Sequence, residues 1–207
     1  MAHPVAVTTP RARKTTTPRD SRRFKRHYSQ SGTPYRSASE IFDVNPPVTK
    51  RIYPALVPDP DRYYLTPGEM VMARSGQVYG LLGRVRMIPT SMAGVFGSDD
   101  LIRIALDESR IPGGYLQTFL SNETYGRLLV VRNASGTSIP HLDPVDIQEV
   151  PVPRFDARSE EAISDLALRG NELLADADEL ETRAIARATQ LVAREAGLHG
   201  LAETLPN

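Results

Sequence analysis

The side chains able to do chemistry are few and scattered, so their spacing decides what they can do. His141 lies inside the run Ser135-Gly-Thr-Ser-Ile-Pro-His-Leu142. A general base needs an orienting acid and a nucleophile or water within reach. The neighbouring residues supply neither, so His141 reads as architectural. Asp99-Asp100 has the look of a metal pair, yet an Asp-Asp step before an apolar run is the place for a turn. Gly80 and Gly83 lack the spacing and the following Lys of a phosphate cradle. The chain has no cysteine, so disulfides and thiolate metal sites are excluded. What remains is recognition chemistry. Tyr35, Arg36, Lys50, Arg51, Arg74, Tyr79, Arg84 and Arg132 are cations and aromatics beside turns, suited to phosphates and base edges.

One stretch imitates a catalytic motif. Asn45-Pro46-Pro47-Val48 has the first three positions of the motif with which adenine methyltransferases grip a flipped base. The fourth position is Val, so the stacking aromatic is missing. No Gly-rich turn after a strand precedes it, and too few residues remain for a doubly wound cofactor domain. The stretch reads as a Pro-rich connection. A nuclease would need clustered carboxylates with a Lys, and none is present. The sequence therefore points to a protein that is not an enzyme and holds no cofactor or metal.

Composition sets the frame for these residues. At 207 residues and 40% hydrophobic content, the chain can bury one good core with extensions to spare. No apolar run is long enough to span a membrane, and Met1-Ala-His-Pro lacks a secretory h-region. A cytoplasmic protein is the expectation. The zero net charge hides a gradient: cations dominate from Arg11 to Arg36, acids from Asp156 to Glu203. Such asymmetry suits a polyanion at one end and solvent or a protein at the other. Residues 1–20 read as a disordered basic tail, either merely solvated or an arm neutralising phosphates.

The elements that would position the site follow from turn chemistry. Pro67-Gly68 feeds a strand from Met70 to Arg74, Ser75-Gly76 closes it, and Tyr79 to Ile88 forms a second strand. Val95 to Leu106 reads as another strand with a turn or bulge at Ser98-Asp100. Tyr115, Leu116, Phe119 and Leu120 have the spacing of a short amphipathic helix. Asp143 or Pro144 starts a helical turn, and Val150-Pro-Val-Pro153 reads as an edge strand or extended exit. Ser31-Gly-Thr-Pro34 reads as a turn. Tyr28, Tyr35 and Arg36 beside it either touch a ligand or pack at a domain edge.

A long acidic helix closes the sequence, with Ser159 as its cap and Gly197 as its stop. Its apolar seam runs Ile163, Leu166, Gly170, Leu173, Ala177, Leu180, Ala184, Leu191, a heptad repeat. The leucines need cover worth roughly 1.5–3 kcal/mol each. Either a second helix supplies it or the helix folds back on its own domain.

Two runs together resemble one family. Gly136-Thr-Ser-Ile-Pro-His-Leu142 and Val150-Pro-Val-Pro153, followed by a coiled-coil helix, resemble the DNA-specificity (S) subunits of type I restriction–modification enzymes. The hairpin from Leu65-Thr-Pro-Gly-Glu to Arg74-Ser-Gly76 is similar to a hairpin of that family, with Glu69 where Asp is usual. The resemblance implies an α+β fold: a target-recognition domain with a mixed β-sheet and short helices over 21–153, a spacer and dimerisation helix over 154–198, and a tail at 199–207. Complete members carry two such domains and two such helices, packed antiparallel, so this chain resembles half of that plan. It implies a non-catalytic subunit that reads double-stranded DNA and docks a methyltransferase subunit. S-adenosylmethionine would sit on that partner, and a restriction or ATPase subunit is a further candidate. The helix would pair with a second copy or with another half-length specificity subunit. The rival reading is a scaffold whose recognition domain no longer reads DNA.

Overall fold

The structure is a computed structural model that describes residues 3–4, 23–46, 49–136 and 138–195. The basic tail (apart from His3–Pro4), the stop at Gly197 and the tail after it lie outside the described residues. The fold is α+β, with small sheets, short helices and one long C-terminal helix. The strands are β1 (His3–Pro4), β2 (Tyr28–Arg36), β3 (Arg51–Ile52), β4 (Met70–Ala73), β5 (Val85–Met87), β6 (Phe96–Gly97), β7 (Leu101–Ile104) and β8 (Pro151–Val152). The helices are α1 (Ala38–Ile41), α2 (Gly113–Ser121), α3 (Gly126–Val131), α4 (Pro144–Gln148) and α5 (Ala157–Glu195).

The strand β4 is the centre of an antiparallel sheet, ordered β5-β4-β7. It does not show one wet face, because all four of its residues are fully buried. Met70 and Met72 point into the larger core with Tyr115, Leu116 and Leu120 of α2. Val71 points the other way, into a cluster with Ile41, Leu65 and Ile88. A strand covered on both faces reads as a continuous apolar run. On the neighbouring strand Arg103 crosses to Glu69, with Nη1 2.6 and 2.8 Å from the two carboxylate oxygens. The longer Glu69 spans that gap.

The strand expected over Tyr79–Ile88 is corrected to Val85–Met87. Residues 77–83 turn instead, because Gly76 and Gly83 take positive φ of 140° and 72°. Buried Arg127 of α3 fixes that turn, donating to Val78 O at 3.1 Å and Gly80 O at 2.6 Å. The strand expected over Val95–Leu106 is divided. Its β6 part pairs parallel with β2, and its β7 part pairs antiparallel with β4. Ser98–Asp100 is the turn that hands the chain from one sheet to the other. Ser31–Pro34, expected as a turn, lies inside β2, whose register against β3 shifts between Tyr28 and Thr33.

Around Pro144 the local signals hold. Asp143 caps α4, its carboxylate accepting from Val145 N at 2.9 Å, and β8 pairs with β1. At α5 the cap is Asp156 rather than Ser159, since Ser159 N and Oγ both donate to the Asp156 carboxylate at 3.0 and 2.6 Å. Glu160 in the first turn does more than face the helix dipole. It is 1% exposed and takes a two-pronged ion pair from Arg154 at 2.8 and 2.6 Å, plus Phe155 N at 2.8 Å.

The Arg154 hydrogen bonds hold the Glu160 carboxyl below its ordinary value of 4.5, against the opposing effect of burial. A folded-state pKa lowered in this way adds stability above the unfolded value. That stability is lost as pH falls through the folded one. Glu160→Gln is expected to cost about 2 kcal/mol at pH 7. The gap from the unsubstituted protein should close below about pH 4.5, as read by thermal melts across pH. A constant gap down to strong acid would refute the pairing.

Candidate nucleic-acid interface

Four sequence-distant segments meet at a cleft of about 600 Å³. Residues 23–39 run through β2 into α1, residues 74–81 leave β4, the 98–100 turn joins the two sheets, and residues 139–141 belong to the junction before α4. Arg26 organises the wall. Its Nε donates to the Tyr35 hydroxyl at 2.8 Å and its Nη2 lies 2.5 Å from Asp99. The guanidinium also sits over the Phe24 and Tyr35 rings, 5.5 and 5.9 Å from their centroids. Desolvation works against the Arg26 charge, but the Tyr35 hydroxyl and Asp99 outweigh it and raise its pKa. Ser75 Oγ donates to Asp100, and Ser135 and His141 exchange backbone hydrogen bonds at 3.0 and 2.8 Å. His141 therefore holds the junction through its backbone. Among the described residues no group of three or more His, Asp or Glu side chains is placed to hold a metal.

The cation and aromatic positions singled out by sequence are not one patch. Tyr35 and Arg74 line the cleft, and Tyr79 sits fully exposed on the loop whose Gly76 and Leu81 form its rim. Tyr35 and Arg36 are corrected from surface contacts to interior residues, 1% and 9% exposed. The pairing of β2 with β6 sets Tyr35 opposite Phe96 and Arg36 opposite Gly97, which carries both inside. Burial pushes the Arg36 pKa down, with Glu40 and Asp178 opposing it. Lys50 pairs with Glu40 at 3.0 Å, and Arg51 donates to Gly32 O at 3.0 Å, bracing the irregularity in β2. Arg74 Nε reaches Leu142 O at 3.4 Å. Arg84 is exposed on a different groove, shared with α5, and Arg132 is exposed at the end of α3. Reasoning from sequence passed over Arg23, Arg26 and the 98–100 turn as cleft residues. The signal was Arg23-Phe-Lys-Arg-His-Tyr28, aromatics interleaved with cations.

The helix α5 does lie along its own domain, by a polar face and, of the seam, by Ile163 at its base. Ser164 Oγ accepts from Gly114 N at 3.1 Å, and Asn171 and Gln117 exchange amide hydrogen bonds at 2.8 and 3.2 Å. Asp178 faces Arg86 at 3.7 Å, and Glu181 accepts from Asn45 Nδ2 at 2.9 Å. Leu166, Leu173, Leu180 and Leu191 are 74%, 58%, 61% and 45% exposed. At about 100° per residue the docked polar face and the leucine seam are roughly 130° apart. One helix thus has two distinct faces, and the leucines of the apolar one stay exposed among the described residues.

These features define an α+β domain with a cleft lined by Arg23, Arg26 and Arg74 together with Asp99 and Asp100, carried on a long helix whose seam leucines are exposed. Neither a protein-family profile nor a curated protein sequence matches the chain. Among solved structures it is similar to a type I restriction–modification system S subunit from M. genitalium, with 17% identity and a TM-score of 0.47. The match covers 83% of this chain and 39% of that one, so this chain spans well under half of that protein's length. No described helix is long and apolar enough to cross a membrane.

Proposed function

We propose that the chain is a DNA sequence-recognition subunit without catalysis of its own, which directs an adenine methyltransferase subunit to a target. A restriction or ATPase subunit joins where the complex carries one. The observation that carries this reading is the division of α5: a polar face docked on its own domain and a leucine seam left bare. A rod built this way fixes one domain while offering itself to another helix, which sets the distance between two readers. The partner helix belongs to a second copy or to another half-length specificity subunit. Arg23 and Arg74 in the cleft, with Tyr79 exposed on the adjoining loop, supply phosphate and base contacts. Arg84 and Arg132 extend the contact to the backbone outside the cleft.

Paired two-fold with a second copy, the assembly with its methyltransferase would read a palindromic target. Footprinting on such a target tests this directly. Arg23 and Tyr79 are exposed, so Arg23→Ala with Tyr79→Ala should leave folding intact. The pair is expected to weaken binding by roughly 10–100-fold, at about 1–3 kcal/mol for a good contact. Unchanged affinity would move the interface elsewhere. No protection of any DNA by the full assembly would favour the scaffold reading.

A further inference from the structure

A second surface shares no lining residue with the cleft. Between α2, the start of α3, the exit after β8 and the first turns of α5 runs a groove of about 470 Å³, lined almost wholly by carbon. Tyr115, Phe119 and Leu129 form its floor, and Tyr125, Phe155 and Ile163 its rim. Tyr125 and Phe155 are 69% and 60% exposed. The one hydroxyl in its floor is already used, since Tyr115 donates to Pro153 O at 2.6 Å. The groove therefore offers apolar contact without hydrogen-bond readout. Ile163 is both its wall and the first residue of the α5 seam, so groove and seam form one continuous apolar track.

The occupant follows from the seam's own sizes. Leucines occupy one register (166, 173, 180), and Gly170, Ala177 and Ala184 the other. A parallel pair would set leucine against leucine and small against small, giving alternately full and empty layers. An antiparallel pair sets Leu166, Leu173 and Leu180 against Ala184, Ala177 and Gly170, which fills every layer evenly. In that alignment the Glu195 of the second copy comes level with Phe155, a residue of the groove. The residues after Glu195 include Leu198, Leu201, Ala202 and Leu205, apolar at i, i+3, i+4 and i+7. The chain cannot fill its own groove. Ile163 and Glu195 are about 48 Å apart along the helix, while the six residues to Leu201 span at most about 21 Å.

We propose that this groove is the seat for the Leu198–Leu205 segment of a second copy of the chain. It rests on the pairing of α5 helices proposed above, and it extends that pairing into a clamp of each tail on the opposite domain.

The chain has no cysteine, so single-cysteine variants of the full chain test it. Tyr125→Cys and Leu201→Cys proteins, mixed in equal parts, are weighed by light scattering and then treated with a short bismaleimide. A dimeric mass and a covalent dimer between the two variants are expected. Tyr79→Cys mixed with Leu201→Cys should give none, because Tyr79 lies on the 77–83 turn and does not line the groove. A dimeric mass without the Tyr125→Cys/Leu201→Cys link overturns the groove assignment and leaves helix pairing standing. A monomeric mass overturns the groove assignment and the pairing of α5 with a second copy.

Discussion

A chain carrying Leu173→Glu and Leu180→Glu is expected to lose its partner entirely and run at its single-chain mass of 22.8 kDa. The size of the effect follows from burial. Each leucine covered in a helix pair contributes roughly 1.5–3 kcal/mol, and a two-fold pair contains each of them twice. Losing about 6–12 kcal/mol raises the dissociation constant by at least about 10⁴-fold. Four new carboxylates facing each other would add repulsion. The globular domain should be indifferent, because Leu173 and Leu180 are more than half exposed and contribute nothing to its cores. The variant should therefore keep the near-ultraviolet circular dichroism of the domain while its sedimentation coefficient falls. A variant that sediments like the unsubstituted protein would reject the seam as the pairing surface.

The second large effect concerns the other face of the same helix. Gly114 in α2 lies against Ser164 so closely that a Cβ there would sit 2.4 Å from Ser164 O and 2.8 Å from its Cα. Both are backbone atoms of a rigid helix, so no side chain can swing aside. Gly114→Ala is expected to push α5 off α2 and destabilise the domain by about 3 kcal/mol. For a chain of this length that corresponds to roughly 6–12 °C in melting temperature. Ser164→Ala removes only the hydrogen bond from Gly114 N and should cost about 1 kcal/mol. Thermal melts rank the two, and amide exchange over the first four turns of α5 shows whether the helix base has loosened. A Gly114→Ala protein that melts with the parent would mean the helix is not seated on α2.

How much of this was legible in the sequence depends on the range of the cause. Local signals carried well. The Asp143-Pro144 start of α4, the apolar spacing of α2 and the extended exit at Pro151–Val152 are each decided by residues within one turn of each other. The long helical span of α5 was legible for the same reason. Its docking face was not, because Ser164, Asn171 and Asp178 look like any solvated stripe. Only Gly114, Gln117 and Arg86, far away in the chain, turn that stripe into an interface. The same holds for residues 77–83: Leu81 and Leu82 read as strand, and Arg127 capping two carbonyls of the turn overrides them.

The candidate site suffered most. Tyr35 and Arg36 sit beside a Gly-Pro signal and look exposed, yet the parallel pairing of β2 with β6 buries them. A parallel neighbour sixty residues on leaves no local mark. The cleft itself is assembled from four separate segments, and only one of them, with aromatics among its arginines, carried a local clue.

The central claim is that the leucine seam of α5 exists to be covered by another helix. Light scattering of the unsubstituted, full-length chain tests it most directly. A mass of twice 22.8 kDa, holding as the protein is diluted to micromolar concentration, is the predicted result. A mass of 22.8 kDa at every concentration, unchanged when the methyltransferase subunit or another half-length specificity subunit is added, would contradict it.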